Sequence, residues 1–396
     1  MPSTKKSFVV ALILLPSIIM WLYQLLPALR NELFRAHDDS PADTIVTNSQ
    51  KDDEKRPEPI DLAAYPYNPR SNLSVNLVVA TIRKEDISWT ERLLIPNLNI
   101  VRYVSDDPKA QYHPPVAKGR EALMYHTYLY DWYDNLPDVT IFVHAQETTW
   151  HTDPELWSSM LFTLSNLDLE AVVERGYANL RVSWHAACPD WINTTVTKQG
   201  AGFFGSHAGS TYSKEKEEEA WMLPAFRAIF GDDVEVPETV GGPCCSQFAV
   251  TRDAIRSRDR DVYTRAMRWF IETDWSDYIA GRVWEHMWSF LFKRGQATDC
   301  PVEWKTFCRM YGVCFNDQAD KDDFHALWKE REGMTKRRGF WFELWDPYRA
   351  AHEKVRIAEL DVELDHRLRA AMEKGRAEKA ASRSQAELLG DLYVVN

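Results

Sequence analysis

The chain has 396 residues, 45% hydrophobic and 12% aromatic, enough for one large domain or two modest ones with tails. Its net charge of −12 and the lack of a basic stripe exclude a nucleic-acid polymer as partner.

The first feature in chain order is apolar. Lys5 and Lys6 precede Phe8–Leu26, 19 residues without a charge, interrupted only by Pro16 and Gln24. At about 1.5 Å per residue this run is long enough to cross a hydrocarbon core. The reading is a single-pass signal anchor at 8–26 with residues 1–7 cytoplasmic; a cleaved signal peptide is the alternative. Residues 27–73 are polar and proline-rich, as in a stem. An α/β domain over 74–318, lumenal in this reading, and a helical tail over 319–396 follow.

Within the domain, "VNLVVA" (75–80) predicts a strand, 86–94 a short helix, "LNIVRYV" (98–104) a second strand, 118–136 a helix, and "VTIFVH" (139–144) a third strand. Such alternation implies parallel pairing with helices on both faces, and ligands beyond the carboxyl ends of the strands. Farther on, Leu180–Trp184 predicts a strand, and Phe248–Val250 leads into a helix capped by Thr251 or Asp253. Residues 277–292 predict a helix carrying Arg282, Glu285 and His286. In the tail, Ile357, Leu360, Leu364 and Leu368 recur at helical spacing, suited to packing on the domain or to self-association.

Six cysteines, Cys188, Cys244, Cys245, Cys300, Cys308 and Cys314, behind a hydrophobic anchor point to disulfides in an oxidising lumen, in the Golgi or endoplasmic reticulum. Zinc held by the last three is the rival reading, although their spacing fits no common zinc pattern. Adjacent Cys244 and Cys245 are expected to pair elsewhere rather than with each other. Asn72 and Asn193 head glycosylation sequons.

Several residues fall where strands end. His144, Glu147 and His151 follow the third strand and are candidates for holding a metal or a diphosphate; a histidine satisfied by a backbone carbonyl is the plainer alternative. Lys118 and Arg120 open a helix, a setting suited to phosphate. Asp106 and Asp107 stand before Pro108, as nucleotide contacts or as a turn. Glu285 sits between Trp284 and Trp288 as a candidate general base, with an Arg282 ion pair as the alternative. Gln247 and Arg252 suit substrate contact or a structural role equally. There is no G-x-S-x-G, P-loop or H-E-x-x-H motif.

The blocks "KGREALMYHTYLYDWYDNLPDVTIFVHA", "WH" (150–151), "GYANLRV", "CCSQFAVTRDAI" and "AGRVWEHMW", with the last three cysteines, resemble a fungal family catalogued as domain of unknown function 3431, over roughly residues 75–315. Ser289 stands where that pattern has histidine. A looser resemblance is to GT-A type glycosyltransferases, carried by the order of Asp106/Asp107, Lys118-Gly119-Arg120, "TIFVH" and "SQFAVTRDAI". It implies a Rossmann-like mixed sheet with flanking helices and transfer of a sugar from a nucleotide donor to a glycan or small-molecule hydroxyl. In that reading Asp106 and Asp107 contact the nucleoside, Lys118 and Arg120 (with Arg83 and Lys84) the diphosphate, and Glu285 the acceptor. The Asp-x-Asp of that class is replaced by His144-Ala145-Gln146, which favours Mn²⁺ over Mg²⁺ or a metal-free site. The other readings are a non-catalytic tethered module binding glycan or protein, and a metal-dependent hydrolase built on His144 and His151.

Overall fold

The computed structural model describes residues 72–184, 188, 192–196, 216–339, 342 and 345–393. The expected anchor at 8–26, the cytoplasmic 1–7, nearly all of the 27–73 stem and most of the glycine-rich stretch after Gly200 lie outside the described residues. Among the described residues no helix is long and apolar enough to cross a membrane.

A five-stranded mixed sheet runs in the order β2-β1-β3-β7-β4. β1 (Val75–Thr81), β2 (Leu98–Val104) and β3 (Val139–His144) are parallel. β7 (Phe248–Thr251) is antiparallel to both β3 and β4 (Tyr177–Asn179). β5 (Ile192–Asn193) and β6 (Thr239–Val240) form a separate two-stranded sheet. Because side chains alternate along a strand, β1 and β3 each feed two cores. Val78, Ala80 and Phe142 face Tyr125 and Tyr128 of α1 (Glu121–Asp131) and Tyr263 and Phe270 of α2 (Arg260–Glu272). Leu77, Val79, Ile141 and Val143 face the opposite layer, with Phe307 and Met310 of α5 (Glu303–Tyr311).

Three expected elements differ. Residues 86–94 form only a 3-10 turn, Ser88–Arg92. The strand expected at Leu180–Trp184 is instead β4, earlier in the chain. Leu180 and Val182 are buried as their pattern implied, but the amides of Val182 and Ser183 go to the Asp153 carboxylate and that of Trp184 to Glu303. Carboxylates take the place of a neighbouring strand. The helix expected over 277–292 breaks into α3 (Asp277–Glu285) and α4 (Trp288–Phe292), with His286 and Met287 between them. Thr251 caps the helix after β7 as expected, its side chain accepting from the Ala254 amide.

The tail packs back. Leu364, Leu368, Ala371 and Met372 of α7 (Pro347–Tyr393) join the second core, and Ile357 and Leu360 meet Met334 of α6 (Gln318–Arg337). On its outer side Tyr348, Val355 and Val362 stand exposed at seven-residue spacing, the side left for any second copy. The close approach depends on Gly375, where an added Cβ would lie 2.1 Å from the Gly312 carbonyl oxygen. Gly375→Ala is therefore expected to destabilise the protein by about 1–3 kcal/mol through overpacking, read by denaturant unfolding.

Cys188 pairs with Cys300 and Cys308 with Cys314, which commits three sulfurs the zinc reading needed. Cys244 and Cys245 pair with each other, against expectation. The turn entering β7 puts Cys245 at φ 91° and Ser246 at 48°, a backbone excursion that sequence spacing does not reveal. Of the sequon residues, Asn72 is exposed, and the Asn193 side chain accepts from both the amide and the hydroxyl of Thr195.

His126 on α1 is fully buried among Trp284, Trp288 and Phe270, and neither ring nitrogen has a partner. Burial lowers its pKa from 6.5 to about 3. The unfolded chain therefore binds the extra proton: this contribution is complete above about pH 6.5 and is lost as pH falls toward 3, on the order of 3–5 kcal/mol. His126→Leu is expected to stabilise the protein at neutral pH by about 1–3 kcal/mol and to flatten the acid limb of its unfolding curve.

Candidate functional site

The carboxyl ends of β1, β2, β3 and β4 and the entry to β7 share one edge of the sheet. Gln247 closes that edge: its side-chain oxygen accepts from the His144 amide at 3.1 Å and its carbonyl from the Leu180 amide at 2.9 Å. These bonds join the ends of β3, β4 and β7. Arg252 lies at the far end, where it pairs with Asp138 and donates to the Leu136 carbonyl.

His144 and His151 meet there, Nδ1 to Nδ1 at 3.1 Å. His144 Nε2 is buried without a partner. Burial drives the His144 pKa well below its usual value, with His151 and Arg120 adding to the effect. Burial, then Arg181 and Arg120, lowers His151 to about 4. Both rings are neutral at pH 7, so one Nδ1–H can donate to the other. Neutral imidazoles also coordinate metals, but among the described residues neither histidine belongs to a group of three or more potential ligands. Glu147, the expected third member, is ion-paired with Arg92 instead. Two nitrogens without a carboxylate suit Mn²⁺ poorly.

A carboxylate pair lies at the Cys245–Ser246 turn that leads into Gln247. Burial, which outweighs its backbone and Ser246 hydrogen bonds, and the nearby charge of Glu285 raise Glu121, the first residue of α1, to about 7. Glu285, at the end of α3, accepts the Cys245 amide at 2.7 Å. Its alternative partner Arg282 pairs with Glu218, and His286 Nε2 lies 3.4 Å from the same carboxylate. Burial would raise Glu218, but the adjacent His286 and Arg282 side chains prevail and hold it at about 2. Glu285 is thus left facing Glu121.

Arg181 completes the set. It is buried and ion-paired with Asp153 at 3.4 Å, and it donates to the Trp150 carbonyl at 3.0 Å. Its Nη1 also lies 3.4 Å from Cys244 Sγ and 3.5 Å from Cys245 Sγ. The indole of Trp150 is 64% exposed and flanks His151, with ring centroids 4.2 Å apart.

The other expected residues are engaged in contacts of their own. Asp106 accepts the Arg83 amide at 2.6 Å, and Asp107 lies 3.7 Å from the Arg83 side chain. Lys118 donates to the Thr273 carbonyl. Gly119 and Arg120, at φ 71° and 52°, aim two successive amides at one point, as a phosphate-binding turn does. That point is filled by the Asp277 carboxylate, which accepts from both. The Arg120 guanidinium lies 5.3 Å above the exposed Tyr278 ring. His144, His151, Arg120, Glu285 and the two adjacent cysteines are therefore connected through Glu121 and Arg181, neither of which sequence reasoning selected. Glu121 carried a weak signal as the first helical residue after Lys-Gly-Arg. Arg181 lay inside an apolar strand pattern, where a charge implies either error or burial with a partner.

A family model described as "Protein of unknown function (DUF3431)" matches residues 77–309, which spans every residue of this set. No curated protein and no solved structure matches the chain.

Proposed function

The chain belongs to the DUF3431 family, and from the geometry of its site we propose that it transfers a sugar from a nucleotide donor to a hydroxyl acceptor. The observation that carries the reading is the Glu121–Glu285 pair at the Cys245–Ser246 turn, directly before Gln247, whose side chain accepts the amide of His144 at the β3 terminus. Two facing carboxyls cannot both ionise freely, so one holds its proton to near neutral pH while the other acts as a base. Glu285 takes the proton of the acceptor hydroxyl as its oxygen attacks the anomeric carbon. The bond from that carbon to the diphosphate breaks, and the diphosphate leaves with its electron pair. Arg120, which is exposed, and Lys118 would supply positive charge for the leaving group. Asp106 and Asp107 would contact the nucleoside, and the secretory-pathway setting rests on the apolar run at residues 8–26 together with the disulfides.

A specific contact favours a second reading. Asp277 occupies the amides a diphosphate would use, and together with the absent Asp-x-Asp this fits a tethered module that binds glycan without turning it over. Thermal unfolding of the protein with UDP-, GDP- and CMP-sugars, each with and without Mn²⁺, separates the two. Binding to the native state raises the melting temperature by mass action. A shift with one nucleotide class that disappears in His144→Ala supports donor binding. No shift with any of them rejects it in favour of the binding module.

A further inference from the structure

We propose that Cys244 and Cys245 form a redox-active dithiol–disulfide couple that exchanges two electrons with dithiol substrates and thereby sets the position of Glu285. Three observations converge on it. A crosslink stabilises mainly by closing a loop of chain, and the stabilisation grows with the loop. Cys188–Cys300 spans 112 residues and Cys308–Cys314 spans 6, whereas Cys244–Cys245 spans 1 and closes no loop. This crosslink ties no distant segments together, so structural bracing does not explain it.

The second observation is electrostatic. The buried Arg181 guanidinium lies within 3.5 Å of both sulfurs. A cation there is of little use to a neutral disulfide but stabilises a thiolate, which favours the reduced form and makes the released sulfur a better leaving group. Cys244 is partly exposed and Cys245 buried, so attack falls on Cys244.

The third observation is position. The Cys245 amide donates to Glu285, and the turn holds Cys245 and Ser246 at positive φ. Once the crosslink opens, Cys245 can relax toward negative φ, and the amide turns away from the carboxylate.

The exchange balances as follows. A substrate thiolate attacks Cys244 Sγ, the Cys244–Cys245 bond breaks, and Cys245 leaves as a thiolate beside Arg181. The second substrate thiol then displaces Cys244 from the mixed disulfide. The substrate ends as a cyclic disulfide, and the protein gains two electrons and two protons.

The test equilibrates the full chain in dithiothreitol buffers of graded reduced-to-oxidised ratio, traps thiols by alkylation and reads each cysteine by mass spectrometry. Cys244 and Cys245 are expected to be half-reduced at a ratio about tenfold or more below that of either other pair. Arg181→Gln should raise that ratio about tenfold, and Arg181→Lys should raise it less. Reduction of all three pairs together, or of this pair last, overturns the proposal, as does a folded Arg181→Gln protein with an unchanged ratio. If neither Arg181 variant melts cooperatively, Cys245→Ser decides. Its Cys244 should be alkylated at about pH 6.5 some tenfold faster in the folded chain than in urea, and an equal or slower rate overturns the proposal.

Discussion

Glu285→Gln is expected to lower sugar-transfer turnover by about 10²–10⁴-fold while leaving the melting temperature nearly unchanged. Glutamine keeps an oxygen for the Cys245 amide, so the bond that holds this side chain survives. What it loses is basicity. It also removes the negative charge that helps to raise Glu121, so the Glu121 pKa should fall from about 7 in the variant. The pH–rate profile then carries the diagnosis. In the unmodified protein the limb near pH 7 reports Glu121, and in the variant the limb of the residual rate should move to lower pH without disappearing, because burial still raises Glu121. Initial rates over a pH series, with circular dichroism melts of both proteins, check both parts. Turnover that survives the substitution removes Glu285 as the base.

Asp153→Ala is expected to cost about 3–5 kcal/mol of stability. Asp153 is fully buried; it pairs with Arg181 and accepts the amides of Val182 and Ser183. Its removal strands a guanidinium away from water and leaves two buried amides without their acceptor. Asp153→Asn keeps the shape and part of the hydrogen bonding, so it should fall between alanine and the unmodified protein. Urea unfolding with a constant slope measures both. A loss under about 1 kcal/mol for alanine would mean that water or another carboxylate replaces Asp153.

How much of this was legible in the sequence varied with the kind of information required. β1, β2 and β3 follow from apolar runs alone, because buried parallel strands need little else. The position of His144 at a strand end followed directly from "VTIFVH", and its meeting with His151 agrees with two histidines on one short loop. β4 was misplaced because Leu180, Val182 and Trp184 alternate as a strand does, while the partners of their amides are carboxylates far away in sequence. The 277–292 helix broke at His286, where no proline or glycine announces the break. Glu285 was placed next to Arg282 by spacing, but Glu218, 64 residues earlier, takes the arginine. Glu121 gains its significance only from burial and from Glu285 across the site. The Cys244–Cys245 pairing depends on two residues at positive φ, which composition does not encode. Local pattern yielded the three parallel strands and one histidine; the long-range partners of charged groups decided the rest.

The most direct measurement is release of nucleoside diphosphate from UDP- and GDP-sugars, and of CMP from CMP-sugars, by the full chain with simple glycosides as hydroxyl acceptors, run beside Glu285→Gln. The expected result is consumption of one nucleotide class with formation of a new glycoside, reduced by about 10²–10⁴-fold in the variant. A folded protein that binds a nucleotide sugar yet consumes none, or consumes it equally well without Glu285, contradicts transfer at this site.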